Sequence, residues 1–261
     1  MKISSQKRKW KMVREAAQKI GWDVFPYRPN YHYVPDYYGK AAAKGINILD
    51  NSEFKSLADV PIRDGRTLLY YDRLYVIYQA LMQVKRLGNS GIEMEAAEVG
   101  TYRGGTTYFI ASVHKALGLP LKTIHCFDTF EGHSGKDISE KSDSHQHKSG
   151  MFNDVSFSDV REYLSVFDRV SAHQGRFQDT CHEVQGRKFG FVHLDVDLYE
   201  PIYFGLNFFD KHLVRGGIII VDDYGTRSCP GVIKAVEEFM QGRQDYFLLH
   251  PFTEQCVLVK L

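Results

Sequence analysis

The chain has 261 residues, of which 43% are hydrophobic, 25% charged and 13% aromatic, so it can bury one large core and is too apolar to be mainly disordered. A formal net charge of +1 gives no overall field toward nucleic acid or an anionic membrane. The basic opening from Lys2 to Lys11 lacks the apolar stretch of a secretory signal, and no apolar run reaches membrane-spanning length. The expectation is a cytoplasmic protein that binds neither nucleic acid nor membrane.

In chain order, Gln6–Ile20 has the period of an amphipathic helix. Residues 22–50, rich in Tyr, Pro, Gly and Asn, read as a lid, a linker or a contact with a second copy in a homo-oligomer. Together they suggest an N-terminal helical and lid extension over residues 1–65, ahead of a main domain over residues 66–261. Asp72–Leu87 reads as a helix with Leu74, Ile77, Tyr78, Leu81 and Val84 on one stripe.

From about residue 92 onward, short apolar runs alternate with helical stretches, the pattern of βα units. Strands are expected at Met94–Val99, Lys122–Phe127, Arg169–His173, Phe189–Leu194, Gly217–Val221, Tyr246–Leu249 and Gln255–Lys260. Helices are expected at Thr106–Leu117, Ser158–Val166, Gln178–Val184, Pro201–Leu213 and Val232–Gln241. No long helix separates the last two strands, which therefore suit an antiparallel hairpin at one edge. The expected fold is α/β, a seven-stranded, mainly parallel, Rossmann-like sheet. Cys126, Cys181, Cys229 and Cys256 show no CxxC spacing and read as free thiols. His145 and His147 fall in the polar stretch Lys136–Gly150 and read as a solvated loop rather than a metal site.

The first strand closes on Glu98, and Gly100, Gly104 and Gly105 carry the chain into a helix. Glycine lets backbone approach a ligand, and a helix N-terminus favours an anionic group. The spacing E-x-G-x-x-x-G-G departs from the dinucleotide fingerprint and suits S-adenosylmethionine better than NAD; a tight turn without a ligand has the same look. Asp128 closes the second strand, where an acid can take a pair of ribose hydroxyls or cap a turn. Phe177 and Gln178 follow the third strand and could hold an adenine.

The fourth strand ends in Asp195 and Asp197, and the fifth in Asp222 and Asp223. Four carboxylates at neighbouring strand ends repel one another unless a cation sits among them, some take up protons, or all are solvated. An oxygen-ligand cation, magnesium or manganese, is the economical solution. His193 points to the same side and reads as a core residue or a support behind the acids.

Five blocks taken together, Glu98–Gly105, Asp128–Gly132, Gly175–Thr180, Leu194–Tyr199 and Gly216–Gly225, resemble the macrocin O-methyltransferase family from about residue 66 to the end. The family methylates sugar hydroxyls of macrolides and related natural products. Its sheet is the seven-stranded class I methyltransferase sheet. The resemblance implies an S-adenosylmethionine-dependent O-methyltransferase in which Asp195, Asp222 and Asp223 bind the metal and Asp197 is the general base. It also implies a small-molecule acceptor with a hydroxyl group, a sugar or glycosylated natural product. Related catechol-type enzymes place a lysine three residues after the first metal aspartate, where this chain has Leu198, which favours a carboxylate base.

Rival readings are a phosphatase or a glycosyltransferase using the Asp195/Asp197 pair with a metal, or a non-catalytic protein that binds S-adenosylmethionine. The phosphatase needs a lysine and a Ser/Thr motif between its acids and leaves the Glu98–Gly105 turn without a role.

Overall fold

The structure, a computed structural model, describes residues 48–88, 91 and 93–261 except 252, together with residues 12, 13, 16, 17 and 19. Residues 12, 13, 16 and 17 are helical, within the span expected to form the first helix. The rest of that span apart from Lys19, and the lid or linker stretch up to residue 47, lie outside the described residues. The chain divides into two compact units, Met1–Ile46 and Asn47–Leu261, and the sheet with its covering helices lies in the second.

Helix α1 (Ser52–Arg63) is not among the expected elements; the sequence reading places its residues in the N-terminal extension, whereas they belong to the second unit. Asn51 caps it by accepting a hydrogen bond from Phe54 N at 3.0 Å. Pro61 and a mainly polar sequence disguise the helix, yet Phe54, Ala58 and Pro61 are buried on one face. The Phe54 ring meets Tyr75 at 4.9 Å and Phe109 at 6.0 Å, which ties α1 to helices α2 (Tyr71–Leu87) and α3 (Gly105–Leu117).

The sheet contains β1 (Met94–Val99), β2 (Leu121–Asp128), β3 (Val170–Gln174), β4 (Phe189–Leu194), β5 (Leu213–Val221), β6 (Tyr246–Leu249) and β7 (Cys256–Lys260), in the order β3-β2-β1-β4-β5-β7-β6. Strands β1 to β5 are parallel, and β7 runs antiparallel to both β5 and β6, as the missing helix between the last two strands implied. One face is covered by α1, α2 and α3 and the other by α6 (Tyr199–His212) and α7 (Pro230–Met240), with β1 and β4 buried along their length. Helix α4 (Phe157–Leu164) covers the β3 side.

Two elements differ from expectation. The helix expected at Gln178–Val184 is a single turn, α5 (Phe177–Thr180), followed by a 3-10 turn over Cys181–Val184. Strand β5 starts at Leu213, four residues earlier than expected, directly from the end of α6. Among the described residues no helix is long and apolar enough to cross a membrane.

Candidate active site

Chain order reverses across the sheet between β1 and β4, the place where an open α/β sheet leaves a crevice at the strands' carboxyl ends. Val99 pairs in register with Phe127 and Leu194, and Leu194 with Val221, so the residues directly beyond them emerge at one level. Backbone bonds extend this alignment past the strands: Gly100 N donates to Phe127 O at 2.9 Å, Asp195 N to Val99 O at 2.8 Å and Asp222 N to Leu194 O at 2.8 Å. A cleft of about 290 Å³ lies here, running from Asp128 and Gln178 to Asp195, Asp197 and Asp223.

Of the residues expected to bind a cofactor, Gly100, Asp128, Phe177 and Gln178 line the cleft. Gly100 has φ +92°, and a Cβ there would collide with the Asp195 carbonyl oxygen, so its glycine serves the close approach of β1 and β4. Asp128 Oδ2 accepts from Tyr102 N at 2.7 Å and Oδ1 from Phe130 N at 2.8 Å. Burial raises the Asp128 pKa while these two amides pull it back. Phe177 has one ring face stacked on Phe209 at 5.2 Å, leaving less of it for a ligand than the sequence suggested. Gln178 donates through Nε2 to Asp137 at 3.0 Å, while its Oε1 is buried without a hydrogen-bond partner.

Glu98 and Gly104 are not on the wall. Glu98 is buried behind it, accepting from Thr107 and lying 3.0 Å from His193 Nδ1. Gly104 caps α3 in a left-handed conformation, φ +83°.

The four strand-end aspartates form two close groups. Asp195 and Asp222 lie together with His193, and Asp197 and Asp223 with Cys229. Asp222 is fully enclosed behind the cleft wall. It accepts from Arg73 at 2.8 Å and Gln255 Nε2 at 3.2 Å, and an ion pair of 3.4 Å without hydrogen-bond geometry links it to His193 Nε2. Burial opposes its ionisation, but His193 and Arg73 hold its pKa at about 2. His193, between Asp222 and Glu98, overcomes its own burial and is raised to about 10. Burial pushes Asp195 well above the usual carboxylate range, with Asp222 adding to the effect. Asp223 is pushed up to about 8, first by burial and then by the neighbouring Asp197 carboxylate. Asp197 and Asp223 both sit in the left-handed region, at φ +62° and +58°, and an oxygen of each lies within 4.8 Å of the other.

Three contributors were missed from sequence. Arg73 reaches Asp222 from α2, across 149 positions. His133 lines the cleft with Nε2 3.5 Å from Asp197 Oδ2, and the Cys229 thiol lies 3.7 Å from Asp197 Oδ1. The expectation of a solvated loop is met by His145, which is exposed, but not by His147, which is buried against Ser228.

Residues 28–254 match the family described as Macrocin-O-methyltransferase (TylF). The 8-demethyl-8-(2,3-dimethoxy-alpha-L-rhamnosyl)-tetracenomycin-C 4'-O-methyltransferase of Streptomyces olivaceus is 27% identical over 172 residues, 59% of this chain and 65% of that one. The Demethyldecarbamoylnovobiocin O-methyltransferase of Streptomyces niveus is 28% identical over 185 residues, 67% of this chain and 68% of that one. The match therefore spans about two thirds of these relatives' length. Among solved structures, the O-methyltransferase NovP superposes with a TM-score of 0.65 at 24% identity, over 75% of this chain and 82% of its own, and shares the fold. The match runs through every strand from β1 to β6, the turn after β1 and the carboxylates at the ends of β4 and β5, and the chain belongs to the macrocin O-methyltransferase family.

Proposed function

We propose that the protein is an S-adenosylmethionine-dependent O-methyltransferase that uses magnesium, or manganese, and acts on a hydroxyl of a sugar carried by a small natural product. The observation that carries this reading is the placement of Asp195, Asp197, Asp222 and Asp223 at adjacent strand ends, at one end of a cleft whose other end holds Asp128 and Gln178. The relatives support the acceptor class, since one is named for a rhamnosyl tetracenomycin and another for a novobiocin precursor.

The residues present fit both groups. Gln178 Oε1 is a buried acceptor without a donor, which suits the exocyclic amino group of an adenine. Asp128 keeps lone pairs beyond its two amide bonds for ribose hydroxyls. At the far end, the raised Asp195 and Asp223 are oxygen donors that are costly as bare anions and favourable beside a divalent cation. Asp195, Asp222 and Asp223 would hold it.

When bound, S-adenosylmethionine supplies an electrophilic methyl group and magnesium polarises the acceptor hydroxyl. Asp197, on the cleft wall, takes the hydroxyl proton as general base. Its left-handed backbone and its contacts to His133 and Cys229 fix the direction of the carboxylate. Arg73 and His193 hold Asp222 ionised from behind, so that it stays a ligand and does not compete for that proton. Alignment of hydroxyl and methyl along the cleft can contribute roughly 7–11 kcal/mol.

The test is calorimetric binding of S-adenosylhomocysteine, followed by turnover with labelled methyl donor against a panel of sugar and phenolic hydroxyls. Cofactor consumption should need magnesium and stop on chelation with EDTA. Tight NAD binding with none for the sulfonium cofactor, or full turnover by metal-free protein, would overturn the assignment.

A further inference from the structure

The long connection after β2 brings His133 and His147 together beside Asp197. His147 Nε2 lies 2.9 Å from the Ser228 carbonyl oxygen, an acceptor only, so this nitrogen carries the hydrogen and donates. The other nitrogen, Nδ1, is then a lone pair, and it faces His133 Nε2 at 3.3 Å. His133 Nε2 in turn lies 3.5 Å from Asp197 Oδ2. One ligand atom from each of the three residues lies within 4.8 Å of the other two.

These separations have a coordination meaning. Ligands about 2.0–2.1 Å from a tetrahedral ion stand roughly 3.3–3.4 Å apart along each edge. A histidine that donates its second nitrogen to a backbone carbonyl is the usual way a protein fixes the tautomer of a metal ligand. His133 has only 9% of its side chain exposed and Asp197 19%, so little rearrangement of either is left open. His133 and Asp197 line the cleft while His147 stands behind it, which leaves a fourth position facing the cleft.

We propose that His133 Nε2, His147 Nδ1 and Asp197 Oδ2 form a three-ligand site for a transition-metal dication of the zinc type, separate from the all-carboxylate set of Asp195, Asp222 and Asp223. Imidazole donors favour zinc, cobalt and nickel, whereas magnesium takes oxygen ligands. The two sites therefore select different ions although they are neighbours. If Asp197 is the general base of methyl transfer, an ion held on Oδ2 competes with the acceptor proton for the electron density of the same carboxylate.

The probe is cobalt(II), titrated into the full chain after chelator treatment and dialysis into excess magnesium, which keeps the carboxylate set filled. Methyl transfer is not part of the readout, so a failure here is distinct from a failure of the proposed activity. The expected result is one cobalt per chain with the visible absorption of a low-coordinate site, displaced by zinc. His133→Gln and His147→Gln should each weaken cobalt by more than the roughly 10–100-fold typical of losing an outer partner. Circular dichroism and thermal unfolding establish that each variant is folded. Should either unfold, X-ray absorption of cobalt in the parent protein counts the donors, with two imidazoles expected. Cobalt binding that magnesium abolishes, equal affinity in both folded variants, an imidazole-free spectrum or no binding at all would each overturn the site and leave a plain hydrogen bond from His133 Nε2 to His147 Nδ1.

Discussion

Arg73 donates to Asp222 Oδ1 over 2.8 Å, which fastens helix α2 to the end of strand β5. Asp222 is fully enclosed and Arg73 has 17% of its side chain exposed, so this is a buried pair. Replacing one partner of such a pair typically costs about 3–5 kcal/mol, because the other charge stays behind. Arg73→Met should lower stability in that range, and added magnesium should restore part of it through the charge it brings to the same carboxylates. Urea unfolding with and without magnesium is the measurement. An Arg73→Met protein as stable as the parent in EDTA would show that the pair contributes nothing.

Asp195 and Asp197 are two residues apart and are expected to fail differently. Asp197→Asn should keep magnesium and cofactor affinity and lose turnover by roughly 10²–10⁴-fold, the range for a lost general base. Asp195→Asn should lose metal affinity and be partly rescued by excess magnesium, since an amide oxygen remains a poorer ligand. Metal content measured beside rate for each variant separates the two. Normal turnover in Asp197→Asn, with an unrescued loss in Asp195→Asn, would exchange the roles.

Gln178 is expected to report on the cofactor alone. Its Oε1 has no partner, and its amide nitrogen is fixed by Asp137 at 3.0 Å, so the oxygen is already aimed. Gln178→Leu should weaken S-adenosylhomocysteine by about 1–3 kcal/mol, the cost of leaving a buried polar group unpaired, with metal affinity unchanged. Calorimetry with both ligands checks this. An unchanged affinity for S-adenosylhomocysteine would remove Gln178 from the adenine site.

Far from the site, His125 sits in a buried chain between Glu95 Oε2 at 2.9 Å and His173 Nε2 at 3.0 Å. Burial lowers its pKa below 6.5, with Glu95 acting in the opposite direction. The unfolded chain therefore binds a proton below about pH 6.5 that the folded chain refuses. The contribution of this group is in place above that pH and is lost as pH falls through it. Melting temperatures from neutral pH down to about 5 should fall more steeply for the parent than for His125→Asn. Parallel curves would locate the acid sensitivity elsewhere.

The sheet was legible because its strands are apolar runs bounded by glycine and acid, and all seven were located within four residues of their observed ends. The same logic found the aspartates, which are the residues directly beyond β4 and β5. Helix α1 escaped because its buried face is only Phe54, Ala58 and Pro61, and a proline reads as a breaker. The surroundings of the aspartates were invisible for a different reason. Nothing local marks Arg73, an ordinary residue of an amphipathic helix, until the fold carries it across 149 positions to Asp222. His147 was misread likewise, since its loop is polar and it is covered by His133 and by Ser228, 81 positions away.

Asp222 is bonded to residues from α2 and from the turn before β7, and it is paired with His193 of β4, whose other nitrogen meets Glu98; it closes the fold as much as it faces any ion. Asp223, one position on, is partly exposed and held by Asp197, by Thr226 and by a longer ion pair of 3.7 Å to Arg73. If both carboxylates hold the proposed ion, retuning its preference by design is open at only one of them. On that reading a library that varies Asp223 should sample ion chemistry, whereas one that varies Asp222 should return mostly misfolded chains.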